Sequence, residues 1–193
     1  MAIYVTSDLH LLHDKDFIYK PRGFDNARDM SKAIVDNLRK TIKDDDDLYI
    51  LGDLVMGGAD NLENSLALLE KIPGRVHIVK GNHDSDRKWW GYTSHCGWNL
   101  VEAENAIYLK YNKYHFYLSH FPTLTSNNDD DKPLKQRLLN LCGHSHTPDK
   151  WADFDKGPIY HVEVDAHDCK PILLDSIIHD FKDMYEKGHN EDR

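Results

Sequence analysis

Residues able to do chemistry recur in this chain at the ends of short apolar runs. Ala2-Ile3-Tyr4-Val5-Thr6 leads into Ser7-Asp8-Leu9-His10, and Leu48-Tyr49-Ile50-Leu51 leads into Gly52-Asp53. Val76-His77-Ile78-Val79 leads into Lys80-Gly81-Asn82-His83-Asp84. The same pattern returns at His115-Phe116-Tyr117-Leu118 before Ser119-His120-Phe121-Pro122, and at Leu139-Asn140-Leu141-Cys142 before Gly143-His144-Ser145-His146. Polar side chains that leave the edge of a sheet stand where open α/β folds hold their ligands. Residues at i and i+2 of a strand point the same way, so Asp8 with His10 and His144 with His146 are spaced to converge. Imidazole nitrogen beside carboxylate oxygen suits borderline divalent metals such as Mn, Fe, Zn, Co or Ni. Any one of these endings also reads as a turn or a surface residue. Their repetition in one small chain favours a shared centre.

The intervening segments must position these endings. Apolar residues Met30, Ala33, Ile34, Leu38 and Ile42 fall at helical spacing between about Asp29 and Lys43, and the acidic run Asp44 to Asp47 stops that helix. Leu62, Leu66, Leu69 and Ile72 make a second helical stripe, closed by Pro73-Gly74. Strand, helix, strand, helix, strand is the rhythm of a parallel sheet with covering helices. The second half changes character. Ala106 to Leu109 and His115 to Leu118 read as a hairpin with Asn112 at its tip. Residues 127–132 read as a polar loop, Leu134 to Leu139 as a short helix, and Ile159 to Val164 as a strand. Asp175 is expected to cap a final helix through Ile177, Ile178 and Phe181. No linker divides the chain, so residues 1–193 read as a single domain.

Composition bounds the function. The net charge of −9 argues against extended nucleic-acid binding, which needs a basic face. It leaves room for a small phosphate ester, because bound divalent ions would make the site itself positive. No apolar run approaches a membrane span, and the first residues read as a strand and not as a signal peptide. Three cysteines without a CxxC pair fit a reducing cytoplasm. The 13 histidines are the unusual entry in the composition, since histidine is the commonest metal ligand among side chains.

Taken in order, Asp8-x-His10, Gly52-Asp53, Gly81-Asn82-His83-Asp84, His120 and Gly143-His144-Ser145-His146 resemble the motif set of the calcineurin-like metallophosphoesterase superfamily. The opening Ser7-Asp8-Leu9-His10-Leu11-Leu12-His13, followed by Arg22-Gly23-Phe24, is similar to its small bacterial and phage-type members. The resemblance runs from about residue 3 to about residue 175. It implies an α/β fold of four layers, two mixed β-sheets face to face and flanked by α-helices, around a dinuclear metal centre. By position, Asp8, His10 and His146 would hold one ion, Asn82, His120 and His144 the other, and Asp53 would bridge them. His83 corresponds to the histidine that binds no metal and approaches the leaving group. Two ions about 3.5–4 Å apart share a hydroxide and stabilise both apical oxygens of an in-line displacement. The protein Ser/Thr phosphatases carry a second Asp and an Arg-Gly after Gly-Asp. This chain has Leu54-Val55-Met56-Gly57-Gly58 there, which disfavours a protein substrate.

The expected activity is therefore hydrolysis of a small phosphate ester, diester over monoester, with two divalent ions, manganese favoured, and His83 assisting the leaving group. The alternatives are a binding or scaffold protein on the same fold, and a nuclease. Around the ligands, His13 reads either as an orienting partner or as a loop histidine. Arg22 reads either as a phosphate grip or as half of a surface ion pair. Asp84 is a candidate orienter of His83, and Asp165 a candidate support for a ligand.

Overall fold

The computed structural model describes residues 1–56, 59–125, 132–152 and 159–191. The elements in chain order are β1 (Ile3–Thr6), α1 (Asp16–Tyr19), α2 (Ala27–Thr41), β2 (Asp47–Leu51), α3 (Ala59–Leu69), β3 (Arg75–Val79), α4 (Asp86–Ser94) and β4 (Leu100–Glu104). Then come β5 (Ala106–Tyr111), β6 (Tyr114–Ser119), β7 (Leu138–Cys142), β8 (Ile159–His161), β9 (Ile172–Leu173) and α5 (Leu174–Glu191). They form two mixed sheets. One has the order β4-β3-β2-β1-β9, parallel except for β9, and the other the order β5-β6-β7-β8, with an antiparallel β5–β6 hairpin beside parallel partners.

Side-chain alternation sorts the apolar residues of the first sheet into two cores. Leu48, Ile50, Val76 and Ile78 face α2 and α3 and join Met30, Ile34, Leu38, Leu66 and Leu69. Val5, Tyr49, Leu51 and Val79 face the second sheet and meet Phe116, Leu118, Leu139 and Leu141. Every residue of β2 is buried, as expected for a central parallel strand covered on both faces. α5 adds Leu174, Ile177, Ile178 and Phe181 to the layer between the sheets. The result is an α/β fold of two mixed sheets flanked by helices. Helix α2 begins where Asn26 Oδ1 accepts the Asp29 N–H at 2.9 Å, a side-chain cap that satisfies one of the free donors of the first turn.

Several expectations shift. The final helix starts at Leu174, so Asp175 lies inside its first turn and does not cap it. Its carboxylate instead accepts Tyr111 Oη at 2.9 Å and Asn112 Nδ2 at 3.2 Å, pinning the hairpin tip. The helix expected from Leu134 shrinks to a 3₁₀ turn over Leu134–Gln136, because β7 already pairs with β6 from Leu138. Of the polar stretch 127–132, all but Lys132 lies outside the described residues. Helix α4 and strand β4 have no counterpart in the sequence reading. Trp90 and Val101 are exposed, so neither segment carries a full apolar stripe.

Candidate active site

The polar endings meet at the carboxyl ends of β1, β2, β3, β6 and β7. The strand pleat does not aim them. β1 stops at Thr6 and β7 at Cys142, and the chain then passes through left-handed positions at Asp8 (φ 55°), His10 (φ 45°), Asp53 (φ 54°), His144 (φ 75°) and His146 (φ 49°). Such conformations cost non-glycine residues about 1–3 kcal/mol each and persist where surroundings hold them. Here backbone bonds do the holding. Asp8 N–H donates to Gly52 C=O at 3.1 Å, His10 N–H to Asp53 C=O at 3.0 Å, and Gly143 N–H to His120 C=O at 3.0 Å. The glycines matter by what they lack. A Cβ on Gly143 would overlap the Asp8 carboxylate, and one on Gly81 would overlap the Asp53 carboxylate.

Asp8, His10, Asp53 and His120 are buried almost completely. Among the described residues, Asp8 Oδ1 and His10 Nε2 are buried without any hydrogen-bond partner, and they lie 3.8 Å apart. Unsatisfied buried polar atoms are costly. His146 Nε2 stands 3.7 Å from the same Asp8 oxygen. Asp53 Oδ2 lies 3.6 Å from His10 Nε2 and 3.5 Å from His120 Nε2, between the two halves of the cluster. On the far side Asn82 Oδ1 is 2.8 Å from His120 Nε2 and 2.9 Å from His144 Nδ1. Donor atoms this close can share an ion at bond lengths of about 2.0–2.2 Å. Asp8, His10 and His146 form one group able to hold a metal, and Asp8, Asp53 and His120 another. The orphaned donors fit a divalent ion.

Protonation favours ligation at His10, His144 and Asp8. Burial pushes the His10 and His144 imidazoles below their ordinary value, leaving neutral rings with a free lone pair. At Asp8 burial pulls upward, but His10, His120 and Ser7 outweigh it and the carboxyl is held low. At His146 burial pulls the ring down, while Asp165 and Asp8 prevail and the net direction is up.

A second layer orients these donors. Asp165 Oδ2 lies 3.1 Å from His146 Nδ1, so that nitrogen carries the proton and Nε2 is left to face the cluster. Arg22 donates from Nε and Nη2 to Asp165 at 2.8 and 2.7 Å, and from Nη2 to Asp8 C=O at 2.9 Å. Its side chain is 1% exposed. An ion pair is present, but a buried one and not the surface pair expected, because every face of the guanidinium is committed inside the protein. His13 Nδ1 lies 3.1 Å from His10 Nδ1, and the rings stack at 5.2 Å. It packs against His10, and burial with its imidazole neighbours drives its own pKa down to about 4.

Asp84 requires a correction. Its buried carboxylate accepts Gly81 N–H at 2.9 Å, Asp53 N–H at 2.8 Å, Leu54 N–H at 3.3 Å and Tyr92 Oη at 3.2 Å. It ties the Asp53 loop to the Gly81 loop and does not orient the His83 ring. That ring is exposed, with Nε2 4.0 Å from Asp53 Oδ2 and its edge toward His10. Trp89 and Tyr92, on α4, pack into the core behind the loops, whereas Trp90 is exposed.

Sequence reading missed two supports. Glu163, fully buried, accepts His146 N–H at 2.9 Å and Thr147 N–H at 2.8 Å. Asn140, also buried, accepts Thr123 N–H at 2.8 Å and donates to Ser119 Oγ at 2.9 Å, fixing the loop that carries His120. Asn140 sits in an apolar strand, and a polar residue there was the available signal.

Two sheets whose adjoining ends gather carboxylates, an amide and several imidazoles define an α/β protein with a candidate metal centre. The family model for calcineurin-like phosphoesterase matches residues 1–188, and the chain belongs to that family: it is a metal-dependent phosphoesterase. It is 28% identical over 189 residues to an uncharacterized protein of Methanocaldococcus jannaschii, covering 96% of this chain and 92% of that one. It is 26% identical over 185 residues to the Gene 66 protein of Mycobacterium phage D29, covering 88% and 92%. Among solved structures, a protein of unknown function from Aquifex aeolicus superimposes with a TM-score of 0.64 at 22% identity, over 92% of this chain and 98% of that one. That likeness speaks for the fold.

Proposed function

We propose that this chain, acting as one domain, hydrolyses small phosphodiesters with two divalent ions, manganese first among them. Asp8, His10 and His146 would hold one ion, Asn82, His120 and His144 the other, and Asp53 would serve both. The assignment is supported by the unpartnered Asp8 Oδ1 and His10 Nε2 and by the position of Asp53 Oδ2 between His10 and His120. When bound, the ions would supply a nucleophilic hydroxide at neutral pH and offset the charge of the phosphoryl oxygens. Asn82 adds a neutral oxygen donor, which keeps the centre electrophilic. His83 delivers a proton to the departing oxygen from the open side of the cluster.

The observation that carries the diester preference is the commitment of Arg22. A monoester brings a second negative charge that a free guanidinium would offset, and this guanidinium is spent on Asp165 and on the backbone of Asp8 and Leu9. The exposed rings of Phe17, beside His13, and Phe121, beside His120 and His144, offer apolar surface to ester substituents. The full donor set speaks against a scaffold that has lost catalysis, and the −9 charge against a nuclease of long chains. No helix among the described residues is long and apolar enough to cross a membrane. The three free cysteines suit a cytoplasmic setting. The test is a parallel assay of bis-p-nitrophenyl phosphate and p-nitrophenyl phosphate, after chelation and return of manganese. We expect the diester to be turned over faster. Faster monoester turnover overturns the preference, and inertness toward both overturns the activity.

A further inference from the structure

Neither ring nitrogen of His83 makes a side-chain hydrogen bond among the described residues, the Asp53 carboxylate lying 4.0 Å from Nε2, yet a proton donor needs a defined position. Its backbone supplies one. The His83 N–H donates to Asp53 Oδ1 at 2.8 Å. The His83 C=O accepts from Lys88 Nζ, also at 2.8 Å. Both peptide groups flanking its Cα are thus held by charged side chains, and the ring retains only its own side-chain torsions. The same Lys88 ammonium donates to Val55 C=O at 2.8 Å. It therefore clamps the loop after Asp53 to the loop after Gly81 from the first turn of α4. Burial lowers the pKa of this half-buried lysine, as expected for an ammonium withdrawn from water onto carbonyl oxygens.

We propose that Lys88 is a positioning residue for leaving-group protonation, fixing His83 through its carbonyl where no side chain among the described residues hydrogen-bonds the ring. This rests on the reading of His83 given above. In the step concerned, hydroxide oxygen bonds to phosphorus as the bond from phosphorus to the leaving oxygen breaks. The proton on His83 passes to that oxygen, giving an alcohol and a phosphomonoester, and water later reprotonates the imidazole. Lys88 itself contacts no proposed metal donor, so loss of the clamp acts first on the position of the ring. Its effect should therefore grow with the basicity of the leaving group.

The test compares Lys88→Met, Lys88→Arg, His83→Ala and the Lys88→Met/His83→Ala double variant in the manganese-loaded enzyme. The substrates are bis-p-nitrophenyl phosphate and methyl p-nitrophenyl phosphate, with an alkyl diester whose leaving alkoxide is strongly basic. We expect Lys88→Met to lower kcat on the alkyl diester by about 10–100-fold and on the nitrophenyl esters by much less. KM and two metals per chain should be unchanged, Lys88→Arg should restore most of the loss, and the double variant should be no slower than His83→Ala. Equal losses on all substrates, or additive losses in the double variant, would overturn the role of Lys88 while leaving His83 in place. A His83→Ala enzyme with no leaving-group dependence would instead remove the reading of His83, and the proposal with it.

Discussion

Asp165 shows how much of the site is decided one residue beyond the donors. Its carboxylate receives the Arg22 fork and His146 Nδ1 together, and these partners overcome burial to hold its pKa far below the ordinary value. Through that bond the carboxylate selects the tautomer and the orientation of His146. Partners of this kind typically cost about 10–100-fold in metal affinity or activity when removed. We expect Asp165→Asn to weaken manganese binding by about that factor in a titration followed by calorimetry, with the fold unchanged by circular dichroism. Native affinity in the variant would show that His146 needs no such support. Asp165 was legible in the sequence as a candidate support for a ligand, without the ligand or the partner that gives it that place. The partner that gives it a role, Arg22, lies 143 positions away.

At the scale of elements, the far end of the first sheet carries its own polar network. Asp47 on β2 accepts Arg75 Nε at 2.9 Å and Nη2 at 2.6 Å, and lies 2.9 Å from His77 Nε2 on β3. His77 Nδ1 lies 3.0 Å from Glu102 on β4, so three adjacent strands are joined by side chains as well as by their ladders. Burial pushes the Asp47 carboxyl up, but Arg75 and His77 outweigh it and the net direction is down. A lowered carboxyl stabilises the fold above its ordinary pKa and loses that contribution as pH falls through the folded value. We expect Asp47→Asn to cost about 1–2 kcal/mol at pH 7, discounted because Arg75 is 41% exposed. In urea titrations the difference between the two proteins should close as pH drops below about 4. A gap that stays constant down to pH 3 would assign the loss to packing. The βαβ order of this half was readable because β2 and β3 are apolar runs between helical stripes. β4 was not, because an edge strand with no fully buried residue leaves no such run.

For the whole molecule, the site is a place where the fold concentrates cost. Five left-handed residues and a set of buried carboxylates and imidazoles are held together at the seam of two sheets. A ligand that binds only the folded chain stabilises it by mass action, about 2.7 kcal/mol at a hundred times its dissociation constant. For a chain of this length that amounts to roughly 5–10 °C in Tm. We expect chelation to lower Tm by that order and manganese to restore it, with magnesium less effective at a nitrogen-rich donor set. A Tm indifferent to both would mean that the cluster is stable without ions.

The sequence by itself determined which residue types stand at the strand ends, the parallel rhythm of the first half and the family those endings belong to. It could do so because apolar runs and their polar terminations are local patterns. Tertiary structure alone decided where the second-layer residues act. Arg22 turned inward to Asp165, Asp84 went to the backbone of two loops, and Lys88 took the carbonyl of His83. Each choice depends on which distant oxygen lies within about 3 Å, a distance set by the packing of two sheets and carried by no local pattern.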